Sequence, residues 1–353
     1  MALFRLLFRL LVSMVVTLFI VTALLYATVM FTPAETRAQL YMPPRTSPRM
    51  TEEQLAKMVD LIIEKYHLND PYPVQYYYWL SGLVKGNWGF SPTLNEDVFS
   101  AIVRRAPTTA ELTFYSILLY LPLGLISGVI AGSKREKYPD RAFRVLAYIA
   151  TSLPPFILAI VMMAIFYGTL GWLGPLRTSL SLNSVLSSAE FHQITGFLTI
   201  DGALNGRWDI TLDAFKHLIM PATTLAFAHW AILGRITRSR MIEEMQQNYV
   251  IAAQARGIPQ TRITWRHMLR NTLPPALTSS ILSATSLLTG VYVVEIIFNF
   301  HGISTIAVRS MDQIPDAPAA LGFGIYSVIV VLLLMAILDL LQFFVNPRLA
   351  KRQ

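Results

Sequence analysis

Tyr249-Val250-Ile251-Ala252-Ala253-Gln254-Ala255-Arg256-Gly257, continued by Arg266-His267-Met268-Leu269-Arg270-Asn271, lies between two long apolar runs, near 216–237 and 277–299. Ala252, Ala253 and Ala255 give a helix short side chains, so another surface can approach its backbone closely. Gly257 ends that helix where a left-handed backbone costs least, and Pro259 prevents its continuing. Arg262, Arg266 and Arg270 recur every four residues along the next helix, while His267, Arg270 and Asn271 stand at i, i+3 and i+4, hence on one face. A compact handle set between two membrane crossings makes the chain an all-α membrane protein that other molecules grip by its loops. Two occupants suit the handle on physical grounds: a groove on a soluble partner, or the anionic inner leaflet, where each basic residue contributes ~1 kcal/mol.

Composition agrees with a bilayer setting. Of 353 residues, 54% are hydrophobic and 14% charged, with mean hydropathy +0.48; soluble domains carry about a quarter charged residues. Crossing a hydrocarbon core of ~30 Å takes roughly 20 apolar residues as a helix, and helix is enforced because backbone groups find no water there. Six spans are expected, near 10–30, 108–132, 145–170, 216–237, 277–299 and 321–345. The net charge of +8 is a topology signal. With a cytoplasmic N-terminus, the inside segments hold Arg5 and Arg9; Lys134, Arg135, Lys137, Arg141 and Arg144; the arginines of 235–270; and Arg348, Lys351 and Arg352. The two shorter outside loops hold only Arg177, Arg207, Lys216 and Arg309. By the positive-inside rule both termini are cytoplasmic, and nucleic acid is not the partner. The first apolar run exceeds the roughly 7–15 residues of a signal-peptide core, so it reads as a retained anchor. With no cysteine, disulfides and thiolate metal sites are excluded.

Four regions follow: a transmembrane anchor at 1–31, an external helical loop at 32–107, a five-helix core at 108–345 that includes the handle at 249–275, and a cytoplasmic tail at 346–353. Within the loop, a link rich in proline (Pro43, Pro44, Pro48) precedes Thr51-Glu52-Glu53-Gln54, a capped helix start with acids in its first turn. That helix should reach about Tyr66, a second should cover Val74–Val84, and Gly86-Asn87-Trp88-Gly89 should turn the chain. Gly124, Gly128 and Gly132 line one face of the second span and admit a close helix neighbour, within the subunit or beyond it. Pro154-Pro155 should kink or break the third span. Residues 171–215 show no periodicity.

No phosphate-binding loop, His-Glu-x-x-His motif or serine elbow is present, and the six histidines are scattered, so neither catalysis nor a metal site is expected. Ionisable residues near lipid are functional suspects, because burying them costs about 2.5–3.5 kcal/mol on insertion scales. Glu111 and Glu295 stand at span ends, where they can reach water. Asp339 lies inside the last span, where a basic partner is expected. Any of the three could meet the charged termini of a peptide.

At the handle the chain resembles the inner-membrane permease subunits of ABC importers, whose shared segment reads Glu-Ala-Ala, three residues, Gly. Ala252, Ala253 and Gly257 fit, with Ile251 in place of the glutamate. The peptide and nickel branch is more similar still. Tyr249-Val250, His267-Met268-Leu269-Arg270-Asn271, Leu68-Asn69-Asp70-Pro71, Gly86-Asn87-Trp88-Gly89-Phe90-Ser91, Pro107-Thr108-Thr109-Ala110-Glu111-Leu112, Ser152-Leu153-Pro154, Val294-Glu295 and Asn346-Pro347-Arg348 all resemble its segments. Phe31-Thr32-Pro33-Ala34-Glu35, the 43–48 insertion and the long 171–215 loop depart from it.

The resemblance implies a type I ABC importer permease fold and a pathway subunit without enzymatic activity. Its partners would be a second, paralogous permease, two cytoplasmic ATPases that carry ATP and Mg, and an extracellular or periplasmic solute-binding protein. This chain would bind no cofactor. Ala252, Ala253, Arg256 and Gly257 would form the ATPase contact, supported by Tyr249, His267, Arg270 and Asn271. Glu111, Pro154, Glu295 and Asp339 would serve the pathway or pair within it. The competing readings are a stand-alone secondary transporter or channel, which should show repeated broken helices, and a membrane-anchored receptor.

Overall fold

The computed structural model describes residues 2–42, 51–188, 190–311 and 316–345. The Pro43, Pro44 and Pro48 link, Asn346-Pro347-Arg348 and the tail at 346–353 lie outside them. The described residues are mostly helical. In chain order come α1 (Ala2–Val29), α2 (Ala34–Ala38), α3 (Glu52–Lys65), α4 (Tyr72–Val84), the strands β1 (Phe90–Ser91) and β2 (Glu96–Asp97), α5 (Val98–Ser133), α6 (Tyr138–Ser152) and α7 (Pro155–Met162). Then follow α8 (Asn183–Leu186), α9 (Leu198–Leu204), α10 (Trp208–Met245), α11 (Asn248–Ala255), α12 (Gln260–Arg262), α13 (Leu269–Ile297), α14 (Ser304–Ser310) and α15 (Ala317–Val345).

Among these residues, four helical stretches are long and apolar enough to cross a membrane: Leu3–Val29, Val98–Ser133, Trp208–Met245 and Ala317–Leu340. The expected third span is two helices, α6 and α7 with its π-helical extension Met163–Thr169, bent by 100°. Counted as one, the pair raises the number to five. Pro154 is the reason for the break: it stands extended at φ −56°, ψ 141° and caps α7, and its missing N–H cannot continue α6. The expected fifth span, 277–299, falls in α13, and among the described residues Ser286–Ile297 of that helix is apolar.

The chain divides into two compact units. One comprises 6–107 with 302–332, and the other 108–301 with 1–5 and 333–353. In the first unit, α3 begins as its sequence requires: the Gln54 amide donates to Thr51 Oγ1 (3.4 Å), and the Thr51 amide donates to Gln54 Oε1 (3.1 Å). The aromatic face of α4 packs on α1. Trp79 stacks on Tyr26 with centroids 4.8 Å apart, Tyr72 donates to the Ala23 carbonyl (2.5 Å), and Thr22 and Tyr76 share a hydrogen bond (2.9 Å). Leu321 and Ile325 of α15 complete this cluster. Asp316, nearly fully buried, accepts from Ser91 Oγ (2.6 Å) and Thr93 Oγ1 (2.7 Å), and caps α15 by accepting from the Ala319 amide (3.0 Å).

The core of the second unit forms around α10, whose Leu218, Leu225 and Leu233 are buried with Leu112 and Tyr120 of α5 and Val291 and Val294 of α13. The glycine stripe of α5 faces α10. A Cβ on Gly128 would stand 2.6 Å from the Gly234 carbonyl oxygen, and one on Gly132 2.5 Å from Met241 Cβ. Only glycine allows this approach, so the stripe serves packing within the subunit.

Candidate functional site

The 248–271 segment is built as a hard cap on a buried apolar cluster. Val250, Ile263 and Met268 are fully buried together with Met241 at the end of α10 and Val129 of α5. Tyr249, Ala253 and Ile258 pack against the same cluster. α11 ends in a Schellman motif: the Gly257 amide donates to Gln254 O (2.9 Å), and the Ile258 amide to Ala253 O (3.1 Å). Gly257 takes φ +72°, and Ile258 and Ala253 supply the accompanying apolar contact. With one face buried, the other is free: Ile251, Ala252, Ala255, Arg256 and Gly257 are exposed, and a Cβ on Gly257 would meet nothing within 4 Å.

Glu244, at the end of α10, braces this cap. It accepts from the Tyr249 hydroxyl and from Asn271 Nδ2 (3.2 Å), so both ends of the segment are tied to one carboxylate. Burial, and then the adjacent Glu244 carboxylate, push the Tyr249 phenol up to about 12. His267 and Arg270 are exposed and do not join this contact. Ile263–Met268 is a π-helical turn that runs into α13, and of His267, Arg270 and Asn271 it is Asn271 that reaches Glu244. Arg262, Arg266 and Arg270 are exposed as well.

The suspected acids are elsewhere in the unit, and two of them correct the expectation of contact with water. Glu111 is 1% exposed. It accepts from Arg177 Nη2 (2.5 Å) and Nε (3.1 Å), and from the amide and hydroxyl of Thr199 (2.9 and 2.7 Å). Arg177 also donates to Thr108 Oγ1 (2.9 Å) and to the Gly196 carbonyl (2.5 Å). Glu295 is fully buried and accepts from Thr109 Oγ1 (2.5 Å). Both carboxylates look inward because hydroxyls and a guanidinium there replace water. Asp339 is half-buried in α15. Pro154 marks the α6–α7 break.

Several polar residues that matter here were not singled out from the sequence. Asp201 accepts from the Thr195 and Gly196 amides, both at 2.8 Å, and Asp213 accepts from the Ser179 amide (2.7 Å) and hydroxyl (2.6 Å). With Glu111 and Arg177 they make the aperiodic 171–207 loop a fastened structure. Asp140, at the start of α6, is fully buried against Arg238 of α10. Among the described residues no group of His, Asp and Glu could hold a metal ion.

Residues 121–351 match the family described as binding-protein-dependent transport system inner membrane component. The probable D,D-dipeptide transport system permease protein DdpB of Escherichia coli is 30% identical over 83% of this chain and 85% of its own. The di/tripeptide transport system permease protein DppB of Pseudomonas aeruginosa is 30% identical over 93% of each chain. The oligopeptide transport system permease protein AppB of Bacillus subtilis is 31% identical over 88% of each. A solved structure of the MetNI methionine ABC transporter, inward facing, overlaps with a TM-score of 0.46 at 15% identity, across 69% of this chain and 96% of that one, too remote to add to the fold. In this family ATP hydrolysis belongs to partner subunits, and a binding protein supplies the solute. Matched along most of its length, the chain belongs to the inner-membrane components of binding-protein-dependent transport systems, the permease subunits of ABC importers.

Proposed function

We propose that this permease carries peptides inward, and that the exposed face of 251–257 seats in a groove on a cytoplasmic ATPase. The observation that carries the reading is the division of the segment into two faces. A buried face fixes it to α5 and α10, and an exposed face of small residues ends at a left-handed glycine with open space around it. A surface of that kind moves as one piece with the helices beneath it, so closure of two ATPases on ATP would rock the core between its two openings. Names of relatives that transport dipeptides and oligopeptides support the substrate class.

In this reading the chain crosses the membrane six times, with α13 as the fifth crossing and both termini cytoplasmic. Residues 1–31 anchor the chain, 32–107 form an external cap facing the binding protein, 108–345 form the core, and 346–353 the tail. A paralogous permease completes the pathway. Ala252, Arg256 and Gly257 touch the ATPase; Ala253, expected at the same contact, packs on the buried cluster beneath it, and Tyr249 and Asn271 hold the contact in place through Glu244.

Co-purification tests the docking surface. Gly257→Trp, which fills the open space, should lose the ATPase chains. Gly257→Asn, whose short side chain tolerates the left-handed backbone, should keep them. Wild-type retention of the ATPases by Gly257→Trp would refute the groove contact.

A further inference from the structure

Asp140 lies in the first turn of α6 and is fully buried, although Lys137, Arg141 and Arg144 flank it in sequence. Arg238 grips it with two prongs, Nε to Oδ1 and Nη2 to Oδ2 (2.9 Å). The Glu136 amide donates to Oδ2 (2.9 Å), and Arg144 Nε stands 3.8 Å away. A buried, bidentate pair is strong and directional, and removing one partner leaves a charge without compensation.

The position of the pair in the unit gives it a task. Arg238 lies three residues before Met241, whose side chain is part of the cluster beneath 248–271. Asp140 begins α6, and one turn on Phe143 lies against Gly234, where an added Cβ would come within 2.6 Å of the ring. α6 then ends at the 100° break and hands over to α7. A displacement of the 248–271 segment is therefore passed to the end of α10 by apolar packing, and from α10 to α6 by the ion pair and the Phe143 contact.

We propose that Asp140 and Arg238 are positioning residues that carry movement of the coupling segment into the broken helices α6 and α7. The inference rests on the ATPase-docking reading above. Loss of the pair would let α10 move while α7 lags, so ATP would be consumed without opening the core.

The absence of cysteine allows selective labelling. Spin labels at Ile160→Cys on α7 and Leu212→Cys on α10, both exposed positions, report the distance between the two helices in the importer assembled with its ATPase subunits. The expected result is a change of that distance on trapping with ADP and vanadate, and loss of at least half of the change in Asp140→Asn, with ATPase subunits still bound and hydrolysis continuing. A full change in Asp140→Asn, or no change in the otherwise unaltered chain, would overturn the inference. Should Asp140→Asn fail to assemble, Arg238→Lys keeps the charge but loses the second prong: a reduced change supports the proposal, and an undiminished one overturns it. Failure of the docking reading is separately visible, because ATPase chains would then be retained by Gly257→Trp.

Discussion

The 248–271 segment and the 171–207 loop are both polar connections within one compact unit, yet they handle their surfaces in opposite ways. The first buries Val250, Ile263 and Met268 beneath it and leaves Ala252, Gly257 and its arginines outside, with Ile251 and Trp265 beside them. The second is fastened to the core by carboxylates: its own Asp201, with Glu111 of α5 and Asp213 of α10, accepts from Arg177, Thr199, Thr195, Gly196 and Ser179. The difference separates a surface kept for a partner from a structure that closes on itself. Exposed small residues add little to stability, whereas a buried carboxylate holds its neighbours in place and is costly to lose.

Substitutions can break this contrast. The largest effect should follow Glu111→Ala, which leaves Arg177 without its acid and the loop without its main tie, a loss of about 3 kcal/mol. A thermal melt of the purified protein would read it, and an unchanged midpoint would mean that the loop is held by something else. Next is Ala252→Trp, expected to leave the melt within about 0.5 kcal/mol, as surface changes do, while ATPase retention falls at least tenfold, or ~1.4 kcal/mol. A large fall in stability would place Ala252 with the braces instead. The smallest effect belongs to Tyr249→Phe, which removes one hydrogen bond to Glu244, worth ~1 kcal/mol.

Tyr249 also sharpens the contrast through pH. Its phenol is raised from 10.0 to about 12 in the folded chain. The contribution to stability is fully present below pH 10 and is lost as pH climbs towards 12, because the unfolded chain releases that proton first. Melts of the parent and Tyr249→Phe proteins should therefore converge over that interval, and parallel curves would count against the Glu244 contact.

The same contrast explains what could be read from residues alone. Ala252, Ala253, Gly257 and Pro259 are contiguous, so their helix, its stop and its open face follow from local chemistry. Thr51 with Gln54, and the break at Pro154, are local in the same sense. Glu111 finds Arg177 66 residues away, and Asp140 finds Arg238 98 residues away. No periodicity announces such pairs, so the loop carries no local signature and Glu111 reads from its position as an acid within reach of water. The 100° angle between α6 and α7 was hidden for a related reason: proline dictates an interruption, but packing against α10 sets the direction taken afterwards.

Asp316 makes the 90–97 hairpin and the start of α15 share a single fastener. Its Oδ2 holds Ser91 and Thr93, and its Oδ1 holds the Ala319 amide. The ladder and the first turn of α15 should therefore fray together, and amide exchange at both would rise and fall in step.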